Sequence, residues 1–277
     1  MRQSRRNVLR RFFYAGLFGT SLACSNRSQP QNSLESGSQS IRRTIRVAAA
    51  ADLKFAMDEL IRAFHHEEPQ IAVTVSYGSS GNFYSQLSSR APFDMYFSAD
   101  VSYPRRLAEQ GAAYQGSEFA YAIGRLVVWV PAGSPIDVAK MKIEALRHPS
   151  VRHVAVANPK HAPYGRAAEA AMRSLGVYET VADRLVYGEN VAQTLQFVQS
   201  GAAEIGIVAL SLALAPSVHG QGHYWEIPLD SYPRMEQGGI ILKWTQQAEA
   251  AQSFRSFALA PAGRQILKNY GFYLPEE

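Results

Sequence analysis

The sequence predicts an α/β fold with two lobes and a ligand-binding cleft between them. The first observation is an alternation of β-rich runs and amphipathic helices over residues 44–110, which is typical of a parallel sheet. The second is another series of the same kind over residues 153–208, and the third is a return β-rich run at 240–244. We therefore predict that residues 44–124 and 240–277 form lobe I, and that residues 125–239 form lobe II.

The individual elements follow from local residue patterns. Ile71–Tyr77 alternates as a strand does, and Leu53–Phe64 has apolar residues at helical spacing. The first series also contains strands at 44–50 and 94–97, a helix that ends near Leu87, and a helix at 101–110. The β-rich run Tyr121–Val130 leads to strands at 153–157, 184–187 and 205–208 and to helices at 163–174, 190–199, 245–258 and 261–269.

The charge distribution argues against nucleic-acid binding. The chain of 277 residues has 28 basic and 23 acidic side chains. Five of the arginines lie in residues 1–23, which contain no acid, so the remainder has 28 − 5 = 23 bases against 23 acids and no net charge. A nucleic-acid-binding surface would need a basic excess in the folded part of the chain.

The first 43 residues read as an export leader and a tether. Ser4–Arg10 resembles a twin-arginine signal, and a short apolar run ends at Cys24, the only cysteine, in a sequence similar to a lipobox. We predict a signal peptide at 1–23, lipidation of Cys24 and a flexible linker at 24–43, although cleavage near an unmodified Cys24 and ordinary secretion both remain open. The predicted location is the periplasm or the outer face of the cytoplasmic membrane, with the lipid as the only membrane contact.

Four loops at strand-to-helix junctions or helix starts are rich in small and turn-forming residues. Such loops let a backbone approach a ligand, and helix N-termini present unpaired N–H groups and positive dipole ends, so several of them together form an anion site without Lys or Arg. A simpler interpretation of Ser79 and Ser80 is that one of them caps its helix. The loops are Ala50-Ala51-Asp52-Leu53, Gly78-Ser79-Ser80-Gly81, Ala162-Pro163-Tyr164-Gly165 and Gly188-Glu189-Asn190-Val191.

Seven stretches of the chain, in order, resemble the molybdate-binding proteins of the type II periplasmic-binding family. The resemblance covers nearly all of residues 44–273 and implies that family's two-lobed fold, with a mixed sheet in each lobe and the ligand in the cleft. The stretches are VAAAADL at 47–53, YGSSG at 77–81, APFDMYFSAD at 91–100, ANPKHAPYG at 157–165, GENVA at 188–192, GIVAL at 206–210 and YGF at 270–272.

The resemblance also implies which residues hold the oxyanion. The family's loop after the first strand, its serine loop and the backbone N–H groups of its last two loops correspond here to Ala51, Asp52, Ser79, Ser80, Tyr164, Asn190 and Val191. Some members add a Tyr hydroxyl where this chain has Ala209, and the phenol of Tyr164 would replace that donor.

Asp52 departs from the family pattern, in which Ser, Thr or Asn is common. A carboxylate that faces a dianion at low dielectric is strongly repelled. In one interpretation Asp52 caps the helix and offers only its backbone N–H. In the other its side chain accepts a proton from the ligand, which would suit HPO₄²⁻ and predicts a receptor for phosphate or another oxyanion.

The expected function is capture of molybdate, or of the similarly sized tungstate, for an ABC importer whose permease is the protein partner. We expect a monomer without a cofactor, and not an enzyme. The histidines lack metal-ligand spacing, so no metal-cation site is predicted. Lys160 and His161 flank the third loop, where a cation could steer anions, although a solvated surface Lys is the simpler interpretation. A Ser-dependent hydrolase is an alternative, but no His near Ser80 is evident from the sequence.

Overall fold

The computed structural model describes residues 43–275, and in that part of the chain ten strands form two five-stranded sheets. The strands are β1 (Arg43–Ala50), β2 (Ile71–Gly78), β3 (Met95–Ser98), β4 (Phe119–Gly124), β5 (Leu126–Pro131), β6 (Val154–Ala157), β7 (Leu185–Gly188), β8 (Ile205–Ala209), β9 (Gly222–Glu226) and β10 (Met235–Ile241). The predictions for the leader, for Cys24 and for nearly all of the linker concern residues outside the described part of the chain.

Helices cover the sheets and follow most strands. They are α1 (Lys54–Glu67), α2 (Ser80–Ser88), α3 (Ser102–Glu109), α4 (Val138–Met141), α5 (Pro163–Ser174), α6 (Tyr178–Val181), α7 (Val191–Gln199), α8 (Leu210–Ala213), α9 (Ala248–Leu259) and α10 (Pro261–Asn269). Short 3₁₀ turns lie at Ala51–Leu53, Lys142–Arg147, Ala182–Arg184 and Leu229–Ser231. None of the described helices is long and apolar enough to cross a membrane.

Both sheets are mixed. In the first, with the order β2-β1-β3-β10-β4, the three strands β2, β1 and β3 are parallel, and β10 is antiparallel to β3 and β4. In the second, with the order β7-β6-β8-β5-β9, the strands β7, β6 and β8 are parallel and β5 is antiparallel to β8. The predicted α/β class, with mixed sheets flanked by helices, is confirmed.

The cores explain why these segments form the elements they do. The α1 helix presents Met57, Leu60 and Phe64, all at most 1% exposed, to the first sheet, and Phe64 packs edge-on against Phe254 of α9 with ring centres 5.1 Å apart. In the second sheet every residue of β8 is buried. Strands that are buried on both faces consist of nearly continuous apolar residues, and this pattern allowed most of the parallel strands to be predicted from the sequence.

The β-rich run Tyr121–Val130 divides into two strands next to the predicted lobe boundary, because the chain leaves β4 at Gly124 and enters β5, in the other sheet, after Arg125. The start of the return strand was predicted incorrectly. The return strand begins at Met235 rather than residue 240, since Gly238 and Gly239 weaken its β pattern, so the predicted lobe boundary at 239 falls inside β10. Arg43, the last residue of the predicted linker, pairs with Ile71 of β2.

Candidate functional site

The ends of four strands and the starts of the helical segments that follow them meet at one small cavity. The strands are β1, β2, β6 and β7, and the segments that follow begin at Ala51, Ser80, Pro163 and Val191. All the site residues predicted from the sequence line the cavity: Ala51, Asp52, Ser79, Ser80, Tyr164, Asn190 and Val191.

The start of α7 leaves one backbone donor free for a guest. Asn190 has an extended backbone (φ −146°, ψ 173°), and its side-chain oxygen accepts hydrogen bonds of 3.0 Å from the N–H groups of Ala192 and Gln193. Asn190 is therefore a helix cap. The N–H of Val191 lies at the first helical position, where no intrahelical acceptor exists, and Val191 is only 3% exposed.

Ser79 and Ser80 have different roles at the start of α2. Ser79 is the helix cap and accepts a 3.4 Å hydrogen bond from the N–H of Asn82, so the simpler interpretation holds for this residue. The Oγ of Ser80 accepts a 3.0 Å hydrogen bond from the N–H of Ala99. Because a hydroxyl can donate as well as accept, the hydrogen of Ser80 remains available to a guest.

Asp52 is buried in the cavity wall, and the interpretation as a helix cap was wrong. No side-chain capping hydrogen bond is made at the start of the 3₁₀ turn or of α1. Instead, Oδ2 accepts hydrogen bonds from the Tyr164 hydroxyl (3.0 Å) and from Nε2 of Gln237 (2.7 Å). Burial raises the pKa of Asp52 to about 6, against the lowering effects of these two hydrogen bonds and of the nearby backbone N–H groups of Asp52 and Leu53.

The prediction that the phenol of Tyr164 donates to the guest does not hold, because this hydroxyl donates its hydrogen to Asp52. The contribution of Tyr164 to a guest is its backbone N–H at the second position of α5. Gln237, which is fully buried in β10, was not predicted as part of the site. One signal could have found it: a long polar side chain at an inward position of a strand needs a buried partner.

His161 is closer to the site than the sequence suggested. Its Nδ1 lies 3.0 Å from the Oγ of Ser79, and its backbone oxygen accepts a 2.9 Å hydrogen bond from the N–H of Gly81. No sequence pattern had indicated this contact, which joins residues 82 positions apart along the chain. A Ser nucleophile also needs a third group that orients its His base. Within residues 43–275, the one hydrogen bond of the His161 ring is with Ser79, so no such orienting group is present there.

Side-chain contacts join the two parts of the chain that supply the cavity lining. Arg166 of α5 pairs with Asp100 at 2.6 Å and donates to the Tyr103 hydroxyl at 3.2 Å. Nδ2 of Asn82 donates to Glu189 at 3.2 Å. These contacts link α2 and α3 to α5 and to the start of α7, and the guanidinium of Arg166 is already paired.

The residues that line the cavity include no Lys or Arg. Within residues 43–275, no group of three or more His, Cys, Asp or Glu side chains could hold a metal ion. The cavity instead gathers the free N–H groups of helix starts, their dipoles and the Ser80 hydroxyl. This donor set suits the oxygens of a small anion.

The fold and the site define a two-sheet binding protein for a small oxyanion. The chain belongs to the bacterial extracellular solute-binding protein family, whose model matches residues 45–273. It is 37% identical to the molybdate-binding protein ModA of Rhodobacter capsulatus over 212 residues, which cover 76% of this chain and 81% of that protein. The predicted resemblance to the periplasmic molybdate-binding proteins is confirmed.

Solved structures support the same fold. The periplasmic molybdate-binding protein of Azotobacter vinelandii aligns with a TM-score of 0.77 and 33% identity, covering 83% of this chain and 99% of that one. The sulfate-binding protein SubI of Mycobacterium tuberculosis aligns with a TM-score of 0.68 over 84% of this chain and 88% of its own, at only 16% identity, and so shows the shared fold alone. The predicted type II periplasmic-binding fold is confirmed.

Proposed function

We propose that this protein captures molybdate, or the similarly sized tungstate, outside the cytoplasm and delivers it to an ABC importer. The observation that carries the proposal is the convergence of four helical starts on one small cavity that is lined by no cation. Relatives that are named for molybdate binding, at 37% and 34% identity, support the choice of guest.

Recognition rests on neutral donors. The dianion loses its water and receives hydrogen bonds from the backbone N–H groups of Ala51, Tyr164 and Val191 and from the hydroxyl of Ser80. Such donors are fixed before the guest arrives, so little reorganisation is needed on binding. A shorter oxyanion such as sulfate cannot reach every donor at once, which gives selectivity by size.

The guest is enclosed by closure of two lobes on a hinge. The chain passes between the sheets at Arg125, between β4 and β5, and again between β9 and β10. These two crossings support the proposed lobes, and the contacts of Arg166 with Asp100 and of Asn82 with Glu189 support a closed state. The closed form would dock on the permease as a monomer. After twin-arginine export, a lipid on Cys24 would anchor the protein to the outer face of the membrane, with residues 24–42 as the tether.

Calorimetric titration of the purified protein with four oxyanions tests the proposed function. We expect tight binding of molybdate and tungstate, and at least about 100-fold weaker binding of sulfate and phosphate, which corresponds to roughly 3 kcal/mol. Phosphate bound more tightly than molybdate would support instead a phosphate receptor in which Asp52 accepts the ligand proton. Turnover of a chromogenic ester that Ser80→Ala abolishes would contradict a purely binding role.

The pair of Arg166 and Asp100 should affect the lifetime of the closed state more than the capture of the anion. Both side chains are partly exposed, so solvent screens their attraction and the pair contributes little. We expect Arg166→Gln to raise the molybdate release rate by about threefold, and the difference from the parent protein to shrink in high salt. Stopped-flow displacement of bound molybdate by excess tungstate, at low and at high salt, would measure the release rate and its salt dependence. Arg173→Gln, on the outer face of α5, is the matched control, and an equal effect there would contradict the role of Arg166.

A further inference from the structure

A carboxyl group lies in the wall of a cavity that is otherwise suited to an anion. Asp52 is 1% exposed and borders the cavity together with the helix starts that would hold the guest. An ionised Asp52 and a dianion in the same water-free space repel each other strongly. The protein must therefore either bind molybdate poorly or neutralise this carboxyl group when the guest enters.

The hydrogen bonds of Asp52 show which oxygen is available to carry a proton. The hydroxyl of Tyr164 and Nε2 of Gln237 both donate to Oδ2, at 3.0 and 2.7 Å, as they would to the carbonyl oxygen of a neutral acid. Oδ1 is buried and has no hydrogen-bond partner. Only a protonated Oδ1 can make a hydrogen bond to an oxygen of the anion, because an ionised carboxylate has nothing to donate.

The surroundings of Asp52 provide no compensating positive charge. The titratable groups that face it are the phenols of Tyr164 on α5 and Tyr121 on β4, and burial raises the pKa of each well above its ordinary value, so both stay neutral. The side chains from β10 and α8 are the neutral Gln237 and Ser211, which donates to the backbone oxygen of Asp52 at 2.7 Å. The ring of His161 contacts the Oγ of Ser79, with Nδ1 3.0 Å from it.

We propose that Asp52 enters the bound state protonated at Oδ1 and donates this hydrogen to an oxygen of the guest. Each anion captured then takes up one proton from solvent, and no bond within the anion breaks. The inference rests on the proposed function, since it describes how the same site tolerates a dianion. It also opposes the use of Asp52 as an acceptor for a ligand proton.

The direction of the pH dependence follows from linkage. In the free protein burial raises the pKa of Asp52 to about 6, and the negative guest raises this pKa further. Below pH 6 Asp52 is already neutral, so its protonation costs nothing on binding. Between pH 6 and the pKa of the bound state, each pH unit weakens binding about tenfold, because the proton must come from increasingly dilute solution.

Titration of molybdate into the unsubstituted protein, in buffers of different ionisation enthalpy, measures the proton uptake directly. At pH 7 we expect about 0.9 proton per anion, and a Kd about tenfold higher at pH 8 than at pH 7. In Asp52→Asn the amide N–H replaces the acid O–H without titrating, so uptake falls to zero and the Kd no longer changes with pH. At pH 8 this variant should bind more tightly than the parent protein.

Two further variants separate Asp52 from other titrating groups. His161→Gln, whatever its affinity, should keep the proton uptake, and so should Asp94→Asn, which removes a buried carboxyl group outside the cavity. Uptake below about 0.2 proton in the parent protein at pH 7, or uptake that disappears in His161→Gln and persists in Asp52→Asn, would overturn the inference while leaving molybdate binding intact. Absence of molybdate binding at every pH would instead refute the proposed function.

Discussion

Gly81→Ala should weaken molybdate binding by about 100-fold while leaving the unliganded protein folded. A Cβ atom at Gly81 would lie 2.6 Å from the backbone oxygen of His161 and 2.9 Å from its Cα, closer than real Cβ contacts allow. The contact joins α2, which follows a strand of the first sheet, to the loop before α5. The methyl group therefore obstructs closure, and a lower population of the closed state raises the apparent Kd in proportion.

The same substitution should not destabilise the open protein. Gly81 lies in the first turn of α2, where alanine is favoured over glycine by roughly 0.5–1 kcal/mol. Calorimetry for the Kd and thermal unfolding without ligand give the two readouts. Gly133→Ala is the matched control, because a Cβ there meets no atom within 4 Å. Binding by Gly81→Ala that equals binding by the control would show that the closed contact is not part of the bound state.

Val191→Pro should remove one hydrogen bond to the anion without breaking α7. Proline lacks the N–H but is well tolerated at the first helical position, and the extended backbone of Asn190 is compatible with a following proline. This chain itself begins α5 and α10 with Pro163 and Pro261. A hydrogen bond to a charged group contributes about 1.5–3 kcal/mol, so we expect a 10- to 100-fold rise in Kd.

Val191→Ala is the control for this change, since it removes at least as much side-chain volume and keeps the N–H. Far-UV circular dichroism would show that α7 is intact in both variants. If Val191→Pro binds molybdate within twofold of Val191→Ala, the backbone donor at the start of α7 does not contact the guest.

The sequence predicted most of the fold because its strands are short apolar runs with helical periodicity between them. The helix Pro163–Ser174 has the predicted bounds, since a proline marks its start. The failure at β10 has a physical cause, because Gly238 and Gly239 weaken its β pattern and so concealed its start.

The candidate site was predictable as far as it consists of loops, and not where it depends on distant side chains. The helix starts at Ser80 and Val191 carry local turn and capping signals, so their donors could be anticipated. The partners of Asp52 come from α5 and β10, at sequence separations of 112 and 185 residues. A pattern in one segment cannot show which of its side chains meets a group so far along the chain, and the contact of His161 with Ser79 escaped prediction for the same reason.

A crystal structure of the protein with molybdate, with the metal atom located by its anomalous scattering, tests the central claim most directly. The account predicts the anion in the cavity between the four helical starts, with its oxygens within hydrogen-bond distance of the Val191 N–H and the Ser80 hydroxyl, and with no Lys, Arg or metal cation in contact. An anion seated against Arg166 or beside a bound cation would contradict capture by neutral donors.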